Sequence, residues 1–204
     1  YITAGHAITT DPDTGIDNMG IQRCWVREPR LMSIYPYLTS HNWLNIKKYW
    51  DRGEACPVAV WLGHHPAIVM GTQAKIGYPE SHWGAAGAAI GAPIRLVPSV
   101  THGDLIRVPA DAEIVIEGFI PPNRLEAEGP FAEFTGYQGP HVPNTVVEVT
   151  AIALDLSKPE ERVGVVVLIQ GRPVVVLCLV GAPQPRQRVS SPGEDDLVVG
   201  VVGE

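Results

Sequence analysis

Glycine and proline break this chain at short intervals, with 21 Gly and 19 Pro among 204 residues. Punctuation of that density rules out long helices and favours short elements joined by turns. Between the breaks lie runs rich in Val, Ile and Thr at residues 2–9, 21–26, 31–38, 57–62, 94–97, 105–108, 114–119 and 145–154, and each has the length and composition of a strand. Three stretches carry helical signals. Ser40 caps residues 41–52, where Trp43, Ile46 and Trp50 recur at helical spacing and Gly53 supplies the stop; residues 66–72 and the Ala/Gly-rich 81–90 follow. The chain therefore reads as mainly β (α+β), a barrel or sandwich with few helices.

Length and charge narrow the function. A chain of 204 residues buries a full core and suits one large domain, alone or with an extension. Fifteen basic against twenty-two acidic residues, a formal charge of −7, argue against nucleic acid, which requires clustered Lys and Arg. Cys24, Cys56 and Cys178 are odd in number and widely spaced, so neither a disulfide framework nor a zinc knuckle is expected, and a reducing cytoplasm fits. The apolar stretch 163–181 is interrupted by Gln170, Gly171, Arg172 and Pro173, so it reads as a hairpin of 163–169 and 174–180 and not as a membrane span. No leader pattern opens the chain, which starts on Tyr1 and is expected to be a piece of something longer. Beyond the hairpin Pro, Gln, Ser and Asp dominate, and the last nineteen residues are expected to be mobile.

Candidate chemistry gathers at four places. Glu128 and Glu133 sit in one short turn, Glu128-Gly129-Pro130-Phe131-Ala132-Glu133, where one carboxyl can be desolvated while the other stays ionised. Two solvated loop glutamates would have the same spacing. Arg23 offers a permanent charge and a planar fork for a carboxylate, or serves as an edge-strand surface residue. Asn18 and His41 are hard or borderline metal ligands that suit Mn²⁺ or Mg²⁺ better than structural zinc, although a His at a helix start is more often a cap. Other candidates are weaker. Gly84, Gly87 and Gly91 match no phosphate loop and suit helix packing; His64 and His65 diverge at a helix start; Glu113 and Glu117 share a strand face at a barrel rim.

In order and spacing these pieces resemble the UbiD family of prenylated-FMN-dependent decarboxylases. The resemblance runs from Asn18-Met19-Gly20-Ile21-Gln22-Arg23 through Ser40-His41, Gly53-Glu54-Ala55-Cys56-Pro57 and Gly91-Ala92-Pro93. It continues through Val108-Pro109-Ala110 and Glu117-Gly118 to the Glu128 block and Thr135-Gly136-Tyr137, covering about residues 2–152. It implies a split β-barrel akin to flavin reductases over residues 1–155, with 156–204 a hairpin and tail of uncertain origin. It implies prenylated FMN, Mn²⁺ (or Mg²⁺) and K⁺ as cofactors, a flavin prenyltransferase as supplier, and a homo-oligomer in the full-length protein. Reversible decarboxylation of an aromatic (hydroxybenzoate-type) or α,β-unsaturated carboxylic acid is the implied activity. The alternative is a flavin-binding or structural fragment of a larger carboxylase complex. Carried over, Arg23, Glu128 and Glu133 are catalytic, Ile21, Gln22, Arg23 and Ser40 hold the cofactor, and Asn18 and His41 bind the metal. The family's third ligand is a glutamate at the position occupied here by His82. Glu80 is the nearest acid and the expected ligand, with His82 or a different site as alternatives.

Overall fold

The strand β4 (Cys56–Leu62) has almost no solvent contact on either face, so its sequence is a continuous apolar run and not an alternating one. Around it, the computed structural model describes residues 1–132, 135–154, 166–169, 172–175 and 198–201. The other elements in chain order begin with β1 (Ile2–Thr10), β2 (Asp17–Glu28), β3 (Leu31–Ile34) and α1 (His41–Asp51). After β4 come α2 (Pro66–Gly71), α3 (His82–Ile90), β5 (Leu96–Ser99), β6 (Gly103–Pro109), β7 (Ile114–Ile120), β8 (Leu125–Glu128) and β9 (Val142–Leu154). The described strands end with β10 (Val166–Ile169), β11 (Arg172–Val175) and β12 (Val198–Val201).

Antiparallel pairing runs β9-β3-β2-β1-β4-β7 and returns from β7 to β9, closing a six-stranded barrel. Strand alternation divides the apolar residues between two cores. Ala7, Cys24, Met32, Ile34, Val58, Val60, Ile120, Val147 and Val149 fill the interior, joined by Ile46 and Tyr49 of α1. Their neighbours Ile8, Met19, Ala59, Trp61, Val115 and Ala153 face outward against α2, α3 and the β5–β6 ribbon. Glu117 belongs to this outer face: its buried carboxylate accepts the Val100 and Thr101 backbone N–H groups at 2.8 and 2.5 Å, anchoring the ribbon's turn.

The expected barrel and all three helices are present, with shifted ends. β2 begins at Asp17, four residues before the expected start, because β1 continues to Thr10 and pairs with it. β3 stops at Ile34, where Pro36 removes a ladder donor and the chain turns through Tyr37 toward the Ser40 cap. β5 lies at Leu96–Ser99, two residues later than expected, in register with β6. β8 has no sequence signal, since Leu-Glu-Ala-Glu carries little strand preference; its pairing with β9 creates it. β10 and β11 pair antiparallel, as the hairpin pattern requires, and β12 runs parallel to β9. The remainder of the expected tail falls outside the described residues.

Gly118 lies at the register shift between β7 and β9, and a Cβ there would overlap the Glu148 carbonyl. Gly118→Ala is expected to lower stability by about 1–3 kcal/mol in urea denaturation, because backbone cannot yield as a flexible side chain can.

At the barrel end, Lys48 of α1 donates 2.9 Å bonds to both oxygens of the fully buried Asp11. Burial alone would raise the Asp11 pKa; bonds from the Asp13 backbone, Lys48, Tyr78 and Thr14 outweigh it and bring the value from 3.8 to about 2. A depressed carboxyl contributes stability above the unfolded value that disappears as pH falls from about 4 through 2. Asp11→Asn is expected to remove about 2 kcal/mol of pH-dependent stability in that window, read as a flattened acid denaturation curve.

Candidate active site

Two buried polar clusters are rooted on β2, one at each end of its Asn18–Arg23 stretch. Asn18 pairs across the ladder with Thr9, beside the first turn of α1. Ser40 caps that helix by accepting the Trp43 N–H at 3.2 Å, which sets His41 at the helix start. Asn42 locks the junction: its Nδ2 donates to the Ala7 carbonyl at 3.1 Å and its Oδ1 accepts from Thr9 Oγ1 at 2.9 Å. Asn45 donates to Thr9, and Tyr78 donates from its hydroxyl to Asp11 and Asn45 at 3.0 Å each. The Tyr78 ring packs 5.1 Å from His41.

The Asn18 amide can be set in two orientations. In one, its nitrogen donates to Asn42 Oδ1 at 2.7 Å and its oxygen faces the His41 Nδ1 at 3.2 Å. Turned over, its oxygen accepts from the Met19 and Asn42 backbone N–H groups but lies 2.7 Å from the acceptor Asn42 Oδ1, and its nitrogen faces Nδ1 of His41 and of His82 at 3.2 and 3.3 Å. In both, one polar atom of Asn18 sits against two imidazole nitrogens. His82 is 5% exposed, and burial, with the neighbouring His41 second, lowers its pKa from the ordinary histidine value. Glu80 is exposed, on the turn preceding α3. The structure thus sets His82, and not the expected ligand Glu80, beside Asn18 and His41. Among the described residues no three His, Cys, Asp or Glu side chains form a metal-holding group.

The second cluster joins three strands. Arg23 of β2 donates from Nε and Nη2 to Glu128 of β8 at 3.0 and 2.9 Å, a two-point contact. Asn144 of β9 donates to Glu128 Oε2 at 2.6 Å. These contacts all run from N–H donors to carboxylate oxygens, and the Tyr1 side chain adds a further hydrogen bond to Glu128. The guanidinium lies 4.4 Å from the Tyr35 ring centroid and 4.7 Å from that of Phe131. Gly129, at φ 107° and close to the Pro140 carbonyl, lets the chain turn tightly after Glu128. Glu133 lies outside the described residues.

The remaining expected positions divide. Gln22 is buried, Ile21 is 42% exposed with its N–H donated to Gln73, and Ser40 is occupied as a cap. His65 is a helix cap that accepts the Ala67 N–H, and its N–H is donated to His64. Cys24 and Cys56 are buried free thiols; burial, with Glu128 second, pushes Cys24 up to about 12. Asn144 escaped sequence reasoning. Only the β8–β9 register, Glu126 opposite Asn144, brings its amide to Glu128, and no local motif marks it.

Comparison with known proteins identifies the domain family. The domain family described as the UbiD 3-octaprenyl-4-hydroxybenzoate carboxy-lyase Rift-related domain matches residues 1–156. A phenolic acid decarboxylase of Escherichia coli O157:H7 is 33% identical over 144 residues, covering 70% of this chain and 30% of the relative. Among solved structures, the UbiD-class enzyme HmfF from Pelotomaculum thermopropionicum in complex with FMN aligns at TM-score 0.70 and 40% identity, over 74% of this chain and 33% of that one. An evolved dimeric form of HmfF in complex with prFMN aligns at 0.69 and 40% identity, over 73% and 34%. The chain spans about a third of the length of these relatives. Through the domain at residues 1–156, the chain belongs to the UbiD family.

Proposed function

We propose that this chain is the flavin-holding core of a carboxy-lyase that works with prenylated FMN and a divalent ion, Mn²⁺ (or Mg²⁺). Its substrate is an aromatic acid of the hydroxybenzoate type or an α,β-unsaturated acid. The observation that carries this is the Arg23–Glu128–Asn144 chain set between two aromatic faces, in a member of this family.

The donor chemistry fits the cofactor pair. Asn18 and His41 offer an amide and an imidazole 3.2 Å apart, a spacing suited to two ligands of one ion, which in turn would hold the flavin phosphate. When bound, the prenylated flavin supplies an electrophilic carbon that stabilises the electron pair left as CO2 departs. The protein's residues orient and move protons. Arg23, its plane fixed by Glu128 and its faces covered by Tyr35 and Phe131, presents positive charge to the substrate carboxylate. Glu128 accepts from three N–H groups and holds Arg23 in place. Glu133 delivers the proton that replaces the carboxylate on the substrate carbon.

The test is the chain produced together with a flavin prenyltransferase, assayed for flavin absorbance and for CO2 release from 4-hydroxybenzoate-type and cinnamate-type acids. Bound flavin with CO2 release supports the assignment. Bound flavin without release makes the chain a flavin-binding module, and absence of both overturns the proposal. In the active protein Glu133→Gln is expected to slow turnover by about 10²–10⁴-fold while flavin content is unchanged. Arg23→Lys, which loses the fork, is expected to weaken substrate binding as well as turnover. Unchanged turnover in Glu133→Gln would falsify the proton-donor role.

A further inference from the structure

Outside the Arg23 cluster, one buried set of potential ligands goes beyond what the family pattern supplies. The Asn18 side-chain atom facing the rings lies 3.2 Å from His41 Nδ1 and 3.3 Å from His82 Nδ1. Two ligands bonded at about 2.1 Å to one ion, at angles between octahedral and tetrahedral, lie about 3.0–3.4 Å apart. Both separations fall in that interval. We propose that His82 completes, with Asn18 and His41, a metal site of one amide oxygen and two imidazole nitrogens, selective for late first-row divalent ions over Mg²⁺.

His82 is held for this task from three sides. Ser81 donates to both carboxylate oxygens of Asp17 at 2.9 and 3.1 Å, tying the start of α3 to the residue preceding Asn18. The ring is further hydrogen-bonded to the Ala74 backbone, the kind of outer contact that orients an imidazole ligand. Trp83 N–H is donated to the Ser81 cap, so the helix begins with His82 already directed inward. Glu80, by contrast, is exposed with its carboxylate folded back over Gly77.

Replacing a carboxylate by an imidazole changes what the site prefers. Mg²⁺ is a hard ion that favours charged oxygen donors, and Mn²⁺ also suits oxygen ligands, whereas imidazole nitrogen suits Fe²⁺, Ni²⁺, Cu²⁺ and Zn²⁺, with affinity rising from Mn²⁺ through Co²⁺ to Ni²⁺ along the first row. Imidazole and amide ligands bring no negative charge to the ion. The expected order is therefore Ni²⁺ and Co²⁺ ahead of Mn²⁺, with Mg²⁺ well behind.

This inference rests on the flavin-and-metal assignment above, and the experiment separates the two. The chain, with and without added FMN, is titrated with NiCl2, MnCl2 and MgCl2 by calorimetry. The Mn²⁺-loaded protein is examined by pulsed electron paramagnetic resonance, which counts coordinated imidazole nitrogens without reference to activity. Expected are two imidazole couplings in the wild type and one in His82→Gln, with circular dichroism unchanged. Loss of His82 should weaken Ni²⁺ binding by more than the roughly 10–100-fold that removal of an outer-shell partner costs. His82→Glu should raise Mg²⁺ affinity relative to Ni²⁺, and Glu80→Gln should leave all three affinities unaltered. A single imidazole coupling in the wild type, or weakening by Glu80→Gln and not by His82→Gln, overturns the role of His82 while leaving a metal site in place. If no ion binds with or without FMN, both the inference and the metal part of the functional assignment fall.

Discussion

Burial of the barrel wall on both faces is the constraint from which the rest follows. β4 has Val58 and Val60 inside and Ala59 and Trp61 outside, all without solvent contact, so its alternate side chains feed two separate cores. Burying a side chain of this size contributes about 1.5–3 kcal/mol. A ladder with both faces committed cannot slip by one residue without exchanging the two cores, so the register is fixed. Apart from His6 and from Glu117, which two backbone N–H groups hold on the outer face, the buried polar groups of the two clusters lie at the ends and edges of the wall. That is where Asn18, Asn42, Asn45, Asp11 and Glu128 collect, each buried and each hydrogen-bonded.

The two polar clusters answer different electrostatic problems. Around Asn18 the polar groups are amides and imidazoles, and burial lowers the pKa of His82, with the neighbouring His41 and Lys75 acting in the same direction. Around Glu128 a full negative charge is buried to 1% exposure, which is tolerable only because Arg23 and Asn144 donate to it. Removing either donor leaves an incompletely satisfied buried charge. Arg23 is thereby held in one conformation, with aromatic rings covering its faces.

Much of this was legible in the residues, and the reasons differ from place to place. Gly and Pro spacing and the Ser40 and Ser81 caps are local signals, so the strands, the helices and the position of His41 follow from short windows of sequence. Arg23 and Glu128 could be named from motif order, but their mutual contact spans 105 residues and depends on β8 pairing with β9. Asn144 depends wholly on that pairing, and β8 itself has no propensity to announce it. Spacing pointed to position 82 and residue type to Glu80, so the sequence set the two against each other. A shift of two residues at the turn before α3 exchanges an outward for an inward side chain, and only the Ser81–Asp17 tie fixes which one faces Asn18.

Strand β2 carries one residue of each polar cluster, Asn18 and Arg23, whose odd spacing sets them on opposite faces of the strand. They are five residues apart, about 16 Å along an extended strand. Because β2 is paired on both sides, with β1 through Asn18 and with β3 beyond Arg23, neither end can shift relative to the other. The metal-type donors and the guanidinium are thus held at a fixed spacing by backbone hydrogen bonds, before any ligand binds. Such preorganisation spares the ligand the cost of ordering the site, and it explains why a short amide–arginine spacing in the sequence can specify so much of the geometry.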